Sequence, residues 1–291
     1  MPNRCVPAAL IALVVLAPAA RAAETCPAFF ADGRRPELAN PKLSADAVPL
    51  CYEAFALLHS GRSRTPLYAA ERLTRRSVAA ARLIDRADAF HDEERLPPAM
   101  RARLDDYLRS GFDRGHMAPA GDMPTDTAQA ESFTLANVVP QDRTMNRNVW
   151  AAIEESVRRL AVERGTLFVL TGPIFSGDSS ESINGRVLVP TQVFKAIYDP
   201  ARGEAGAYLA QNRSDGDWRP VSIQALKELS GIDAFPSLPA PAKARAMDLP
   251  EPQAYGGGGA RPREDSFEAW ARQELYRLAK RLWRDLMRSI F

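Results

Sequence analysis

Residues 113–116 read Asp113-Arg114-Gly115-His116, and residues 136–141 read Ala136-Asn137-Val138-Val139-Pro140-Gln141. Behind them Asn146, Trp150 and Glu154 stand at i, i+4 and i+8. A lone histidine is most often a packed or surface residue. Here an arginine stands two positions before it, and Gly111, Gly115 and Gly121 suit a backbone that bends tightly near a ligand. An unperturbed imidazole titrates near neutrality, so it can accept a proton at working pH. Asn146 at a helix start reads first as an N-cap, but an amide carbonyl also ligates a hard cation. Mg²⁺ in particular keeps most of its waters and takes few protein ligands, and Glu154 two turns on can hold such waters. Trp150 reads as core, and Asp122 as structural. A base, a hydrated cation and basic side chains for phosphate are the groups that phosphodiester hydrolysis requires.

Working outward, Asn146 to Arg164 has helical periodicity, with Val149, Ile153, Val157 and Leu160 on one face and Gly165 as the stop. Thr166 to Leu170 reads as a short buried strand, and Gln192 to Tyr198 as another, with Val187 to Val189 before it. Upstream, Tyr52 to Leu58 and Thr65 to Leu73 read as strands around the turn His59-Ser60-Gly61-Arg62. Pro98 to Arg109 predicts a helix stopped by Gly111, Ser222 to Leu229 a further helix, and residues 27–50 an extended arm.

Taken together, Asp113-Arg114-Gly115-His116 followed by Asn137…Pro140-Gln141…Asn146…Trp150…Glu154 resembles the DNA/RNA non-specific endonuclease family. These are ββα-metal (His-Me finger) enzymes that include secreted bacterial nucleases and mitochondrial endonuclease G. Thr65-Pro66-Leu67-Tyr68 with Glu71-Arg72-Leu73, Thr171-Gly172-Pro173-Ile174-Phe175, and Val189-Pro190-Thr191…Phe194-Lys195 extend the likeness over roughly residues 50–236. The resemblance implies an α+β fold, a central antiparallel sheet flanked by helices, with the ββα-metal motif carrying the site. It implies that His116 activates the attacking water and that Asn146 is the direct side-chain ligand of a hydrated Mg²⁺, with Mn²⁺ as a substitute. Glu154 would orient the metal's waters, Arg114 contact phosphate, and Asn137 help to position His116. Arg86 falls where the family has a transition-state arginine, across a spacing that varies.

Grip on phosphate oxygens without reading base edges would make both DNA and RNA substrates. Arg72, Arg75, Arg76, Arg82 and Arg86 on one side, with Arg143 and Arg147 on the other, can line a groove that follows the backbone. Rival readings are a nucleic-acid-binding or toxin-like protein with a weakened site, and a phosphodiesterase for another substrate. Zinc catalysis is disfavoured, since His59, His91 and His116 have no Cys–His cluster around them, and His59 and His91 read as surface residues.

The ends differ from the body. Arg4, the apolar run Ala8 to Ala19 and Ala20-Arg21-Ala22 have the anatomy of a secretory signal over residues 1–22, which predicts export to the periplasm or beyond. The run is short for a membrane span. Its removal takes Arg4 and Arg21 from 38 basic residues and leaves them level with the 36 acidic ones, so net charge does not argue for a nucleic-acid partner. Cys26 and Cys51 are then the remaining cysteines and are expected to pair. Residues 23–236 read as the nuclease domain and 237–265 as a Pro- and Gly-rich linker around Gly256-Gly257-Gly258-Gly259. Residues 266–291 read as an amphipathic helix with Phe267, Leu275, Leu278, Leu282 and Leu286 on one stripe. It suits docking on the body, a homodimer contact or a membrane surface. No segment reads as transmembrane.

Overall fold

A computed structural model describes residues 26–177 and 181–252. The leader at 1–22, the glycine run 256–259 and the helix expected at 266–291 lie outside the described residues.

Seven antiparallel strands form the central sheet. Their order is Trp218–Val221, Glu204–Gln211, Gln192–Asp199, Leu167–Ile174, Thr65–Leu73, Phe55–Ser60 and Ala47–Cys51. Strands in the middle are covered on both faces, so they are apolar nearly throughout rather than alternating. Of Thr65–Leu73 only Arg72 is exposed. Pro66 cannot donate to a ladder, and the sheet accommodates it at a bulge where the register shifts between Leu58 and His59.

One face packs Leu57, Ala69, Val169, Val193 and Ile197 against Trp150, Ile153, Val157 and Leu160 of the Ala151–Arg164 helix and the turn before it. The other packs Ala56, Leu170, Phe194 and Leu209 against Ile223 and Leu226 of the Ile223–Ser230 helix, with Phe30 and Phe235. Ser222 caps that second helix by accepting from Ala225 N, and Gly231 ends it in the left-handed region at φ 71°. Cys26 and Cys51 are joined as expected, with their Cα atoms 6.1 Å apart.

The α+β fold and its antiparallel sheet agree with the sequence reading, but several elements differ. Pro98–Arg109 is not a helix: only the 3₁₀ turn Leu104–Tyr107 forms there, held by Asp106 accepting from Arg103 N and paired with Arg186 at 2.9 Å. A tertiary ion pair outweighs local propensity at that position. The Arg75–Ala81 helix, closed by a Thr74–Ser77 capping box, carries too little periodicity to be read in advance. Glu204–Gln211 escapes because Ala and Gly dominate it, and these are weak strand signals. The arm at 27–50 contains three 3₁₀ turns and the sheet's edge strand. The first part of the expected linker lies on the body. Met247 is buried there, Tyr208 donates to the Pro250 carbonyl at 2.6 Å, and Lys243 pairs with Asp233 at 2.9 Å.

Candidate active site

Outside the large sheet, Asp113–His116 and Val138–Gln141 form a two-stranded antiparallel hairpin, with Asp113 opposite Gln141 and His116 opposite Val138. The chain then enters a helix at Arg143. Gly115 is obligatory here, since a Cβ at that position would overlap the Gln141 side chain.

The helix does not start as a regular α-helix. Asn146–Trp150 is a π turn, and Ala151–Arg164 continues as α. An α-helix at 3.6 residues per turn would rotate Glu154 by about 80° from the direction of Asn146. A π turn takes up one extra residue and cancels most of that drift, which returns the Glu154 position toward the Asn146 side of the helix.

His116 is 8% exposed, and its Nε2 has no hydrogen-bond partner among the described residues. Its ring is held by aromatic rings instead: Phe133 meets it edge-on at 5.0 Å, and Phe90 lies tilted at 5.2 Å. Burial, then the Arg86 and Arg114 charges, pull its pKa down to about 3. The imidazole is therefore neutral across the ordinary working range, the form that accepts a proton.

Asn137 is fully buried. Its Oδ1 accepts from Ala118 N at 2.9 Å, and its Nδ2 donates to the carbonyls of Ala118 at 2.8 Å and Ser132 at 2.9 Å. Its own carbonyl accepts from Met117 N at 2.9 Å, so both residues after His116 are tied to it. Arg114 is exposed, with its guanidinium 4.2 Å from the Phe90 ring centre. Arg86 lies 5.2 Å over the Phe133 ring and is paired with Asp88 at 2.7 Å.

Asn146 Nδ2 donates to Asp113 Oδ2 at 3.0 Å, and no described residue bonds its Oδ1. Glu154 is half-buried. Burial raises its carboxyl to about 7, against the opposing pull of Lys195 and Arg158. Among the described residues no three His, Cys, Asp or Glu side chains cluster into a metal cage. A free amide carbonyl with a carboxyl on the same helix face is a hard, sparse oxygen donor set. It fits a divalent ion that keeps its waters, not a fully liganded one.

The other residues singled out from sequence divide. Trp150 is core, and Asp122 is buried in a 2.8 Å pair with Arg158. His91 is exposed, but His59 is not a surface residue. It is fully buried, with Nε2 donating to the Met100 carbonyl at 2.9 Å, because the strand around it is covered on both faces. Arg75 donates to the carbonyls of Val162 and Glu163 at a helix end, and Arg82 faces Glu155 at 3.7 Å, so neither is a free groove residue. Arg143 and Arg147 do gather beside Arg109 and Arg114, lining a cavity of about 490 Å³ next to Asp113.

Three features take roles that were not read from the sequence. Phe90 and Phe133 wall the histidine from loops distant in sequence. Glu71 and Lys195 are buried on the sheet face beneath the helix, and Lys195 donates to Thr171 Oγ1 at 2.8 Å. Burial first, then the Asp122 charge, pushes Glu71 well above the usual carboxylate range, with Lys195 opposing. Asp113, read only as part of a motif, joins the hairpin to the helix.

The profile of the DNA/RNA non-specific endonuclease family matches residues 36–240. The chain belongs to that family. It is a nuclease-family enzyme. Among relatives, it is 31% identical to the mitochondrial Nuclease 1 of Schizosaccharomyces pombe over 61% of this chain and 63% of that protein. It is 32% identical to Nuclease C1 of Cunninghamella echinulata var. echinulata over 64% of this chain and 82% of that one. With the human mitochondrial nuclease EXOG the figures are 31% identity, 65% of this chain and 57% of that one. The chain thus spans under two thirds of the length of two of these three relatives. A crystal structure of an EndoG/EndoGI complex aligns with a TM-score of 0.59 at 28% identity, over 64% of this chain and 86% of that one.

These relatives correct one expectation. Periplasmic or extracellular export, read from residues 1–22, does not stand, because mitochondrial nucleases of Schizosaccharomyces pombe, human and Saccharomyces cerevisiae are matched. A short apolar leader with flanking arginines does not by itself fix a compartment on this scaffold.

Proposed function

We propose that this protein is a divalent-metal-dependent, sequence- and sugar-non-specific endonuclease that hydrolyses phosphodiester bonds of DNA and RNA. His116 is the general base that takes a proton from the attacking water. The observation that supports this is the state of the ring: it is held neutral by burial and by the nearby cations Arg86 and Arg114. Its neutrality keeps it competent, and the neighbouring guanidiniums favour an approaching phosphate.

Asn146 would hold Mg²⁺, or Mn²⁺ in its place, through Oδ1, with Glu154 orienting the ion's waters from the same helix face. Such an ion, when bound, neutralises charge developing on the phosphate and the leaving oxygen. Arg114 binds a phosphate oxygen, Arg86 meets charge growing in the transition state, and Asn137 keeps His116 in place by anchoring the two residues that follow it. Contacts of this kind reach phosphate rather than base edges, which supports indifference to sequence and sugar.

The decisive experiment incubates purified protein with plasmid DNA and with structured RNA, with Mg²⁺ or a chelator, beside His116→Ala. Metal-dependent loss of both polymers, abolished in the variant, is expected. A folded, Mg²⁺-supplied wild type that cleaves neither polymer refutes the reading.

A further inference from the structure

The two ends of a side-chain amide have the same shape and opposite polarity: the NH₂ end donates, and the carbonyl end accepts. Asn146 serves a cation only through its carbonyl. Its NH₂ end is occupied by Asp113 Oδ2 at 3.0 Å, which leaves Oδ1 turned away with no bond from any described residue. Asp113 is gripped from its other side by Arg147, whose Nε and Nη2 donate to Oδ2 and Oδ1 at 2.8 Å each, while Arg143 lies 3.7 Å away. Its position comes from the hairpin register opposite Gln141, not from the helix that carries Asn146. A carboxylate accepts and cannot donate, so it takes one end of the amide only.

We propose that Asp113 is a positioning residue for the metal centre, holding the Asn146 amide with its carbonyl presented to the cation while Arg147 holds Asp113. This rests on the reading of Asn146 as the ligand. Without the carboxylate, nothing selects between the two amide orientations, and one of them points N–H groups at the ion.

Mn²⁺ binding to the purified full chain, without nucleic acid, tests this by electron paramagnetic resonance titration. Asp113→Asn is expected to weaken Mn²⁺ binding about ten- to a hundredfold, the usual cost of losing an outer partner of a metal ligand. Arg147→Ala, which leaves the carboxylate in place, costs less. The exchange Asp113→Asn with Asn146→Asp swaps donor for acceptor at constant net charge. It is expected to bind Mn²⁺ more tightly than Asn146→Asp alone, and this comparison stands even where Asp113→Asn by itself does not fold. Removing a nearby negative charge would ordinarily weaken a cation site, so tightening there reports orientation. Wild-type affinity in Asp113→Asn, with affinity lost in Asn146→Ala, overturns the positioning role and leaves Asn146 as ligand. Undiminished Mn²⁺ binding in Asn146→Ala overturns both.

Discussion

Asn137 and Ala118 exchange two hydrogen bonds: the Ala118 N–H donates to Asn137 Oδ1 at 2.9 Å, and Asn137 Nδ2 donates to the Ala118 carbonyl at 2.8 Å. The pair reproduces, with a side chain, the pattern of a strand ladder just beyond the point where the hairpin ends at His116. The histidine is thus held through the backbone that follows it, and by ring contacts, with no hydrogen bond to Nε2 of its own.

Asn137→Ala should therefore damage both stability and turnover. It leaves the buried Ala118 N–H and the Ala118 and Ser132 carbonyls without partners. A cost of about 3 kcal/mol follows, since orphaned buried groups cost roughly 1–3 kcal/mol each and partial relaxation recovers some of it. Urea unfolding measures the first effect. Steady-state kinetics should show kcat falling with KM little changed, because phosphate contacts are untouched.

The pH dependence of stability follows from His116. Its folded pKa is about 3, against an ordinary value of 6.5. Between those values the unfolded chain binds the proton and the folded chain does not, so stability falls as pH drops from 6.5 toward 3. From pH 7 to pH 5 this site alone removes roughly 2 kcal/mol. Denaturant curves at both pH values should show His116→Gln losing less stability than the wild type over that interval. Equal losses in the two proteins would mean that His116 is protonated in the fold.

Arg114 stacks on Phe90 and is proposed to meet phosphate. Arg114→Ala should raise KM about tenfold and lower the slope of log affinity against log salt by about 1, as expected for one lost phosphate contact. Arg114→Lys keeps the charge but loses the planar stack, and should fall between the two. An unchanged salt slope in Arg114→Ala would place this guanidinium outside the phosphate path.

Glu154 titrates near 7 because burial penalises its charged form. Mn²⁺ affinity should then rise with pH through about 7 in the wild type, as the carboxylate appears. Glu154→Gln should bind Mn²⁺ more weakly at pH 8 and show a flatter dependence. Titrations at pH 6, 7 and 8 distinguish the two. Parallel curves would assign that pH dependence to another group.

Local chemistry made part of this protein readable in its sequence alone. The antiparallel strands Thr65–Leu73 and Gln192–Asp199 announce themselves as apolar runs bounded by turn residues, and the helix behind Asn146 by its periodicity and its Gly165 stop. The order Asp113…His116…Asn137…Asn146…Glu154 survives in one dimension because a hairpin and its following helix keep those residues within one continuous stretch.

Tertiary structure decided the rest, for reasons no local pattern contains. The π turn at Asn146–Trp150 departs from the regular 3.6-residue period that the sequence spacing assumes. His59 is buried because both faces of its strand are covered. Phe90, Phe133 and Arg86 reach His116 from segments distant in sequence and join Arg114 of its own strand, so that burial and Coulomb effects add. Asp113 acquires its place between Asn146 and Arg147 from strand register. Sequence specifies which groups exist and their local geometry. Burial and orientation depend on what lies across the fold, and these govern a proton's affinity and which end of an amide faces a cation.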